Sequence, residues 1–462
     1  MPKEYVSSLN GKTIKDQEAR EQIEQTAAAV ASAQEQIEQT AASVAAAQEQ
    51  IEQTAAAVTV LATYADPDEF GAKHDGVTDD TAAFQAAIDT GLPVVVRFGG
   101  SKVYRIDGVL NFNPQSAAFI KGDYLPWRGG GILLGPNAYF NANTEYFTME
   151  DMRVVYYSGS VEERGTKAVH VENSANAYDA DAEFKNCIFS YFNDAIIVKG
   201  RGLKVGSCTF TFSYNAVLIE YNGAGDTNVA TTDDIGGARA HIIQNTRFHG
   251  MLASCVKTVS GSTVTGFIFK DNLCDIGNGG VEFAGDVYSA EICNNVLNFS
   301  NTAPIKFGAR TEHVTIDGNV LYCDNEEHGK SYPSNLVFVN GPGPFRCNSI
   351  TNNKFFGCTA SAIRLAQSTY AENCIISKNV FEEVCRSGEV VDAPINSHKG
   401  FVNCIISENQ FVTTSNPGYC IRTDASGYTA TGNVITGNIK NVDETTLAFS
   451  VFGQNQKFVQ EY

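Results

Sequence analysis

Between residues 20 and 61, apolar side chains return every seventh position, at Ile23, Val30, Ile37, Val44, Ile51 and Val58. Three residues after each come Thr26, Ala33, Thr40, Ala47, Thr54 and Leu61. Residues 34–47 repeat 20–33 almost letter for letter, and 48–61 do so again with a changed end. A seven-residue period is that of a coiled-coil seam, and β-branched residues at its first position argue for association without setting the number of strands. Alanine and threonine at the second position make the seam thin. A single Ala/Gln-rich linker helix is the competing reading.

Beyond residue 62 the period shortens to two. Val94 to Phe98 reads as a buried strand, and short alternating segments then recur to residue 423. An asparagine, or a serine in its place, recurs alongside them at Asn186, Ser207, Asn245, Asn272, Asn295, Asn319, Asn353, Asn379, Asn409 and Asn433. Most spacings are about 21–30 residues, the length of one turn of a β-solenoid. Asparagine suits such a corner because it tolerates the left-handed conformation and bonds its own turn.

Alternation turns one residue of each segment outward in a common row: His170, Ile197, Leu218, Lys257, Glu282, Lys306, Phe338, Arg364, Asp392 and Arg422. Stacking brings opposite charges together, Glu282 between two lysines and Asp392 between two arginines, and a neutralised surface accounts for much of this row. Two residues further on, a shorter row reads Glu172, Lys199, Glu220.

Two spacings exceed one turn, so their extra residues must leave the cylinder as loops. The first insert, 221–239, holds Tyr221, Asp233, Asp234 and Arg239, with His241 just after it; the second, 321–335, holds Glu326, Glu327 and His328.

Composition narrows the function classes. The 462 residues are 43% hydrophobic, enough for a large core, and the net charge of −19 argues against nucleic acid and anionic membranes as partners. The first residues carry no apolar core of a signal peptide, and no run approaches a membrane span; export by a cleaved signal is not expected. All 12 cysteines follow residue 186 without a C-x-x-C pair, and read as buried free thiols. No metal constellation or cofactor motif is visible.

The segment from Phe70 to Ile88, FGAKHDGVTDDTAAFQAAI, carries a resemblance. Its Gly71, Ala72, Asp75, Gly76, Asp79, Asp80, Thr81, Ala83, Gln85, Ala87 and Ile88 match the N-terminal signature of the pectate-lyase-like right-handed parallel β-helix proteins. In that family the motif is structural, its helix covering the open first coil. The order of parts, head piece, stem and β-helix, resembles a bacteriophage tailspike. The resemblance implies a homotrimer joined to a tail or baseplate protein, carried on the virion and engaging a bacterial surface polysaccharide. The expected organisation is therefore an attachment segment (1–20), a coiled-coil stem (21–62), a capping region (63–110), an all-β body (111–445) and a tail (446–462).

Within that frame Glu172 and Glu220 are the expected acid and base of a glycosidase. They stand two strand spacings apart, about 9.6 Å between backbones, near the separation an inverting enzyme needs for its water. Asp233, Asp234 or His241 is the expected substitute for either once the insert folds back. His170, Lys199, Tyr221, Arg239, His241, Glu282 and Lys306 are the expected glycan contacts, with Tyr191, Phe192 and Tyr214 as apolar surfaces for sugar rings. A lyase, with a base among Lys257, Lys306, Arg310, His313 and His328, and a non-catalytic adhesin are the alternatives.

Overall fold

In a computed structural model, residues 21–48 are described except 23, 33, 35 and 46, and residues 64–459 except 113–117, 124–129, 158–161, 174–179, 201, 221–240, 300, 324–332, 334, 367–368, 387–392, 413–419, 424–431, 441–448 and 451–456. The chain divides into two units, Met1–Thr63 and Tyr64–Tyr462. In the first, the described residues are helical, and Val30, Ile37 and Val44 are each more than half exposed on the single chain. Ile23, Ile51 and Val58 lie outside the described residues.

The second unit is a parallel β-helix. Each turn lays one strand on each of three sheets, as Val103–Ile106, Val109–Phe112 and Ala118–Gly122 do in an early coil. Among the described residues the first face has 14 strands and the second 13, and all pairings are parallel. Crossovers between parallel strands are right-handed, which sets the hand of the coil. Inward residues stack on like residues one coil away. Phe189, Phe210 and Phe248 form one interior pile with rings 5.2 and 5.4 Å apart, and Phe355, Phe381 and Phe411 another at 5.0 and 5.1 Å.

Helix Thr81–Asp89 closes the first coil, burying Phe84, Ala87 and Ile88. Its start is held by two aspartates with different tasks. Asp79 accepts from the Thr81 and Asp107 N–H groups at 3.0 and 3.1 Å, while buried Asp80 reaches back to the N–H groups of Lys73 and His74. The signature is thus committed to holding the cap in place.

The corner asparagines differ from expectation in an instructive way. Asn186, Ser207 and Asn245 do occupy the left-handed region. From the next coil on, the residue before the asparagine takes that conformation, as Asp271, Asn294, Asn352, Lys378 and Glu408 do. The asparagines themselves turn inward. Each carboxamide of Asn295, Asn319, Asn353, Asn379 and Asn409 donates to a carbonyl of its own cylinder wall and accepts from the asparagine N–H one coil earlier. The ladder is continued by Asn438; Asn433 belongs to another corner, where it caps Cys404. The sheets accordingly run on past residue 445, with Phe449–Ser450 and Lys457–Val459 still paired.

None of the twelve cysteines is joined in a disulfide, and ten of them are buried. Cys374 and Cys404 precede the adjacent rungs Ile375 and Ile405, so they sit one above the other inside the wall. No described helix is long and apolar enough to cross a membrane.

Candidate functional site

The second face carries the predicted outward row with one correction. His170, Ile197, Leu218, Lys257, Glu282, Lys306, Phe338 and Arg364 follow one another rung by rung. The next rung, between Arg364 and Arg422, is Asn396 on strand Ile395–Ser397, not Asp392. Asp392 lies outside the described residues. The strand lacks the alternating apolar pattern because two of its three residues are buried polar ones, Asn396 and Ser397, rather than a β-branched run.

The shorter row is in place. Glu172 pairs with Lys199, and the Glu220 N–H bonds the Val198 carbonyl on the following rung. Lys199 Nζ lies 3.5 Å from Glu172 Oε2 and 3.8 Å from Glu220 Oε2. Those two distances added, about 7.3 Å, cap the separation of the two oxygens. That bound admits the roughly 5–5.5 Å of a retaining pair and the lower part of the roughly 6.5–9.5 Å of an inverting one. Each carboxylate is about one-third exposed, so both are open to an external ligand.

His170 stands beside this row, 8% exposed, with Nε2 3.9 Å from Glu172 Oε2. Lys167 Nζ lies 3.5 Å from its Nδ1 and 4.2 Å from the centre of the Tyr139 ring. An ammonium only donates, so Nδ1 accepts and the ring proton sits on Nε2, toward Glu172. Burial, and then the charge of Lys167, push the imidazole down to about 4 against the pull of Glu172, which leaves it neutral near pH 7. Burial and the charge of Lys199 hold Lys167 below the usual lysine range. Strict alternation conceals Lys167, because it has the parity of inward Val169; no signal in the sequence points to it.

Glu282 and Lys306 lie further along the same face. Lys306 donates to Glu282 at 2.9 Å and Lys257 approaches it at 3.7 Å. Burial pushes the Glu282 carboxyl up, but the two lysines outweigh it and hold the group below the ordinary range. His241 is not beside them. It opens strand His241–Gln244 on the third face and is 4% exposed, so burial removes it from the reach of an external glycan and pushes its ring down to about 4. Phe192 is likewise wholly buried, which leaves Tyr191, stacked on Phe212 at 5.4 Å, and half-exposed Tyr214 as the aromatic surfaces of this region. Tyr221, Asp233, Asp234, Arg239 and His328 lie outside the described residues. Arg310 is engaged with Glu312 at 2.8 Å on the third face.

No protein-family model matches the chain. Over 159 residues it is 28% identical to Depolymerase 1 of Klebsiella phage K5-2, described as capsule K30/K69-specific. The match takes in 32% of this chain and only 20% of the length of that relative. Among solved structures, it is similar to a double mutant of the tailspike protein of E. coli bacteriophage HK620, with 12% identity over 82% of this chain and 79% of the other and a TM-score of 0.47. The catalytic unit of the GH87 α-1,3-glucanase of Streptomyces thermodiastaticus is similar at 13% identity over 84% and 70%, with a TM-score of 0.48.

Proposed function

We propose that this chain is a phage tailspike that binds a bacterial surface polysaccharide, capsule or O-antigen, and depolymerises it by glycoside hydrolysis. The observation that carries the reading is the Glu172–Lys199–Glu220 row: two partly exposed carboxylates within about 7.3 Å sharing one cation. Such a pair supplies an acid for the leaving oxygen and a base or nucleophile for the other side of the sugar. The likeness to a capsule depolymerase supports the substrate class. In this reading Lys199 and Lys167 orient the glycan, and Tyr214 offers a ring face. Asp233, Asp234, Arg239 and Tyr221 approach from the first insert, while Glu282 and Lys306 extend the binding face. The heptads of the stem assemble three copies, residues 1–20 join the phage tail or baseplate, and the protein resides on the virion.

The test is incubation of the purified protein with capsule and lipopolysaccharide from a panel of bacteria, following reducing ends together with the ultraviolet absorbance of an unsaturated uronate. Reducing ends alone are the expected result. Unsaturated ends replace the hydrolase with a lyase, and retention of the glycan without fragments replaces it with an adhesin.

A further inference from the structure

The capping helix and the first coils enclose a cleft of about 460 Å³ that the carboxylate row does not use. Its polar lining is almost entirely carboxamide: Gln85 and Asp89 from the helix, and Asn111, Asn141 and Asn143 from the second face, around the edge of Phe112. The groups are fixed by their own bonds. Gln85 donates to the Asn111 carbonyl at 2.9 Å and to Asp89 at 2.7 Å, accepts from the Asn111 N–H at 2.8 Å, and Asn141 donates to the Asn111 side chain at 2.9 Å. A carboxamide offers two donors and two acceptor lone pairs, so Asn141, which lines the cleft, keeps a second donor and its own oxygen beyond the bonds just named.

The position of the cleft gives it meaning. Asn111 pairs with Asn141, Asn141 with His170, and Asn143 with Glu172. The floor of the cleft is therefore the same pair of rows that holds His170, Glu172, Lys199 and Glu220. Asn143 stands three rungs, about 14 Å, from Glu220 along the cylinder. A volume of this size is that of a small-ligand site.

Resting on the polysaccharide reading above, we infer that the cleft is a glycan subsite for one or two uncharged sugar residues on the cap side of the bond to be cut. Neutral amides match hydroxyl groups, and Asp89, with no cation in the lining, disfavours a uronate. An acidic sugar belongs instead at the Lys167–Lys199 end. The cap is then a wall of the binding site as well as a cover for the first coil.

The test uses fragments of a glycan that the protein retains, made by partial acid hydrolysis, titrated into the full-length E172Q/E220Q protein with and without Asn141→Leu or Asn143→Leu. Affinity is expected to rise with fragment length in the parent and to fall about tenfold for the longer fragments in either leucine variant, with the shortest fragments unaffected. In the active background the same substitutions raise KM more than they lower kcat. Equal affinity of parent and variants for every fragment overturns the subsite while leaving the depolymerase reading intact. A parent protein that retains no glycan removes both. Thermal unfolding identifies a leucine variant that fails to fold, and Asn143→Ala then takes its place under the same criterion.

Discussion

Two charge ladders stand on one face of this cylinder and have opposite composition. In the coils of 165–220 one lysine lies between two glutamates at 3.5 and 3.8 Å; in those of 254–307 one glutamate lies between two lysines at 2.9 and 3.7 Å. The same rung-on-rung stacking builds both, so geometry does not separate them. Charge count does. Two cations hold Glu282 ionised, with its affinity for a proton lowered, which makes it a poor proton donor. Two carboxylates share Lys199, with Lys167 also within electrostatic reach of both, and each is about one-third exposed. The first ladder thus offers two open carboxylates on nearby coils, the arrangement a glycoside-cleaving pair requires, where the second offers one carboxylate held between lysines.

The largest effect that tests this contrast is on rate. Glu172→Gln or Glu220→Gln is expected to lower turnover by about 10²–10⁴-fold with the fold retained, measured by reducing ends and circular dichroism. Glu282→Gln should retain the wild-type turnover and alter KM alone. Loss of activity in the Glu282 variant with wild-type rates in the other two would reverse the assignment.

A second difference is in pH dependence. His170 borders only the first ladder and stays neutral in the folded chain down to about 4, whereas the unfolded chain takes up a proton near the ordinary histidine value of 6.5. Between those values the unfolded state binds more protons, so stability falls as pH falls through this window and is unaffected above it. Removing that contribution by His170→Leu should flatten the decline by about 3 kcal/mol, read from denaturant unfolding at pH 7 and pH 4. Substitutions of Lys257, Glu282 or Lys306 should leave the slope above about pH 5 as it is, because a lowered carboxyl loses its stabilisation only below the ordinary glutamate value.

Smaller still is the effect of the central cation. Lys199→Met removes the ammonium that lies 3.5 Å from one carboxylate and 3.8 Å from the other, and should lower turnover less than either glutamine variant, read from reducing ends. Last comes Lys306→Met. Its pair with Glu282 is partly exposed, and its loss should cost at most about 1 kcal/mol in thermal unfolding and leave the rate unchanged.

Much of this was readable in the letters. Period-two alternation and a recurring corner residue place side chains in rows because a parallel β-helix repeats one environment each turn, and the order from His170 to Arg364 follows from that alone. The signature at Asp79 and Asp80 likewise announced a cap. Errors arose where a row changes its chemistry without changing its spacing. Asn272 and its successors moved from the left-handed corner into the wall by a single residue, and a one-residue step is invisible to a count of spacings. Asn396 replaced Asp392 because a buried polar strand lacks the β-branched residues by which strands are recognised.

The amino-acid sequence by itself determined the heptad period, the solenoid, its capping segment and the rung order of the two ladders, since all are properties of local periodicity repeated along one axis. Only the tertiary structure decided which groups face one another at bonding distance. It buried His241 in the wall, set Lys167 against His170 and Tyr139, suspended Lys199 between two carboxylates, and raised a carboxamide-lined cleft between the cap and the second face. Those outcomes depend on side-chain direction and desolvation between turns distant in sequence, which no spacing along the chain encodes.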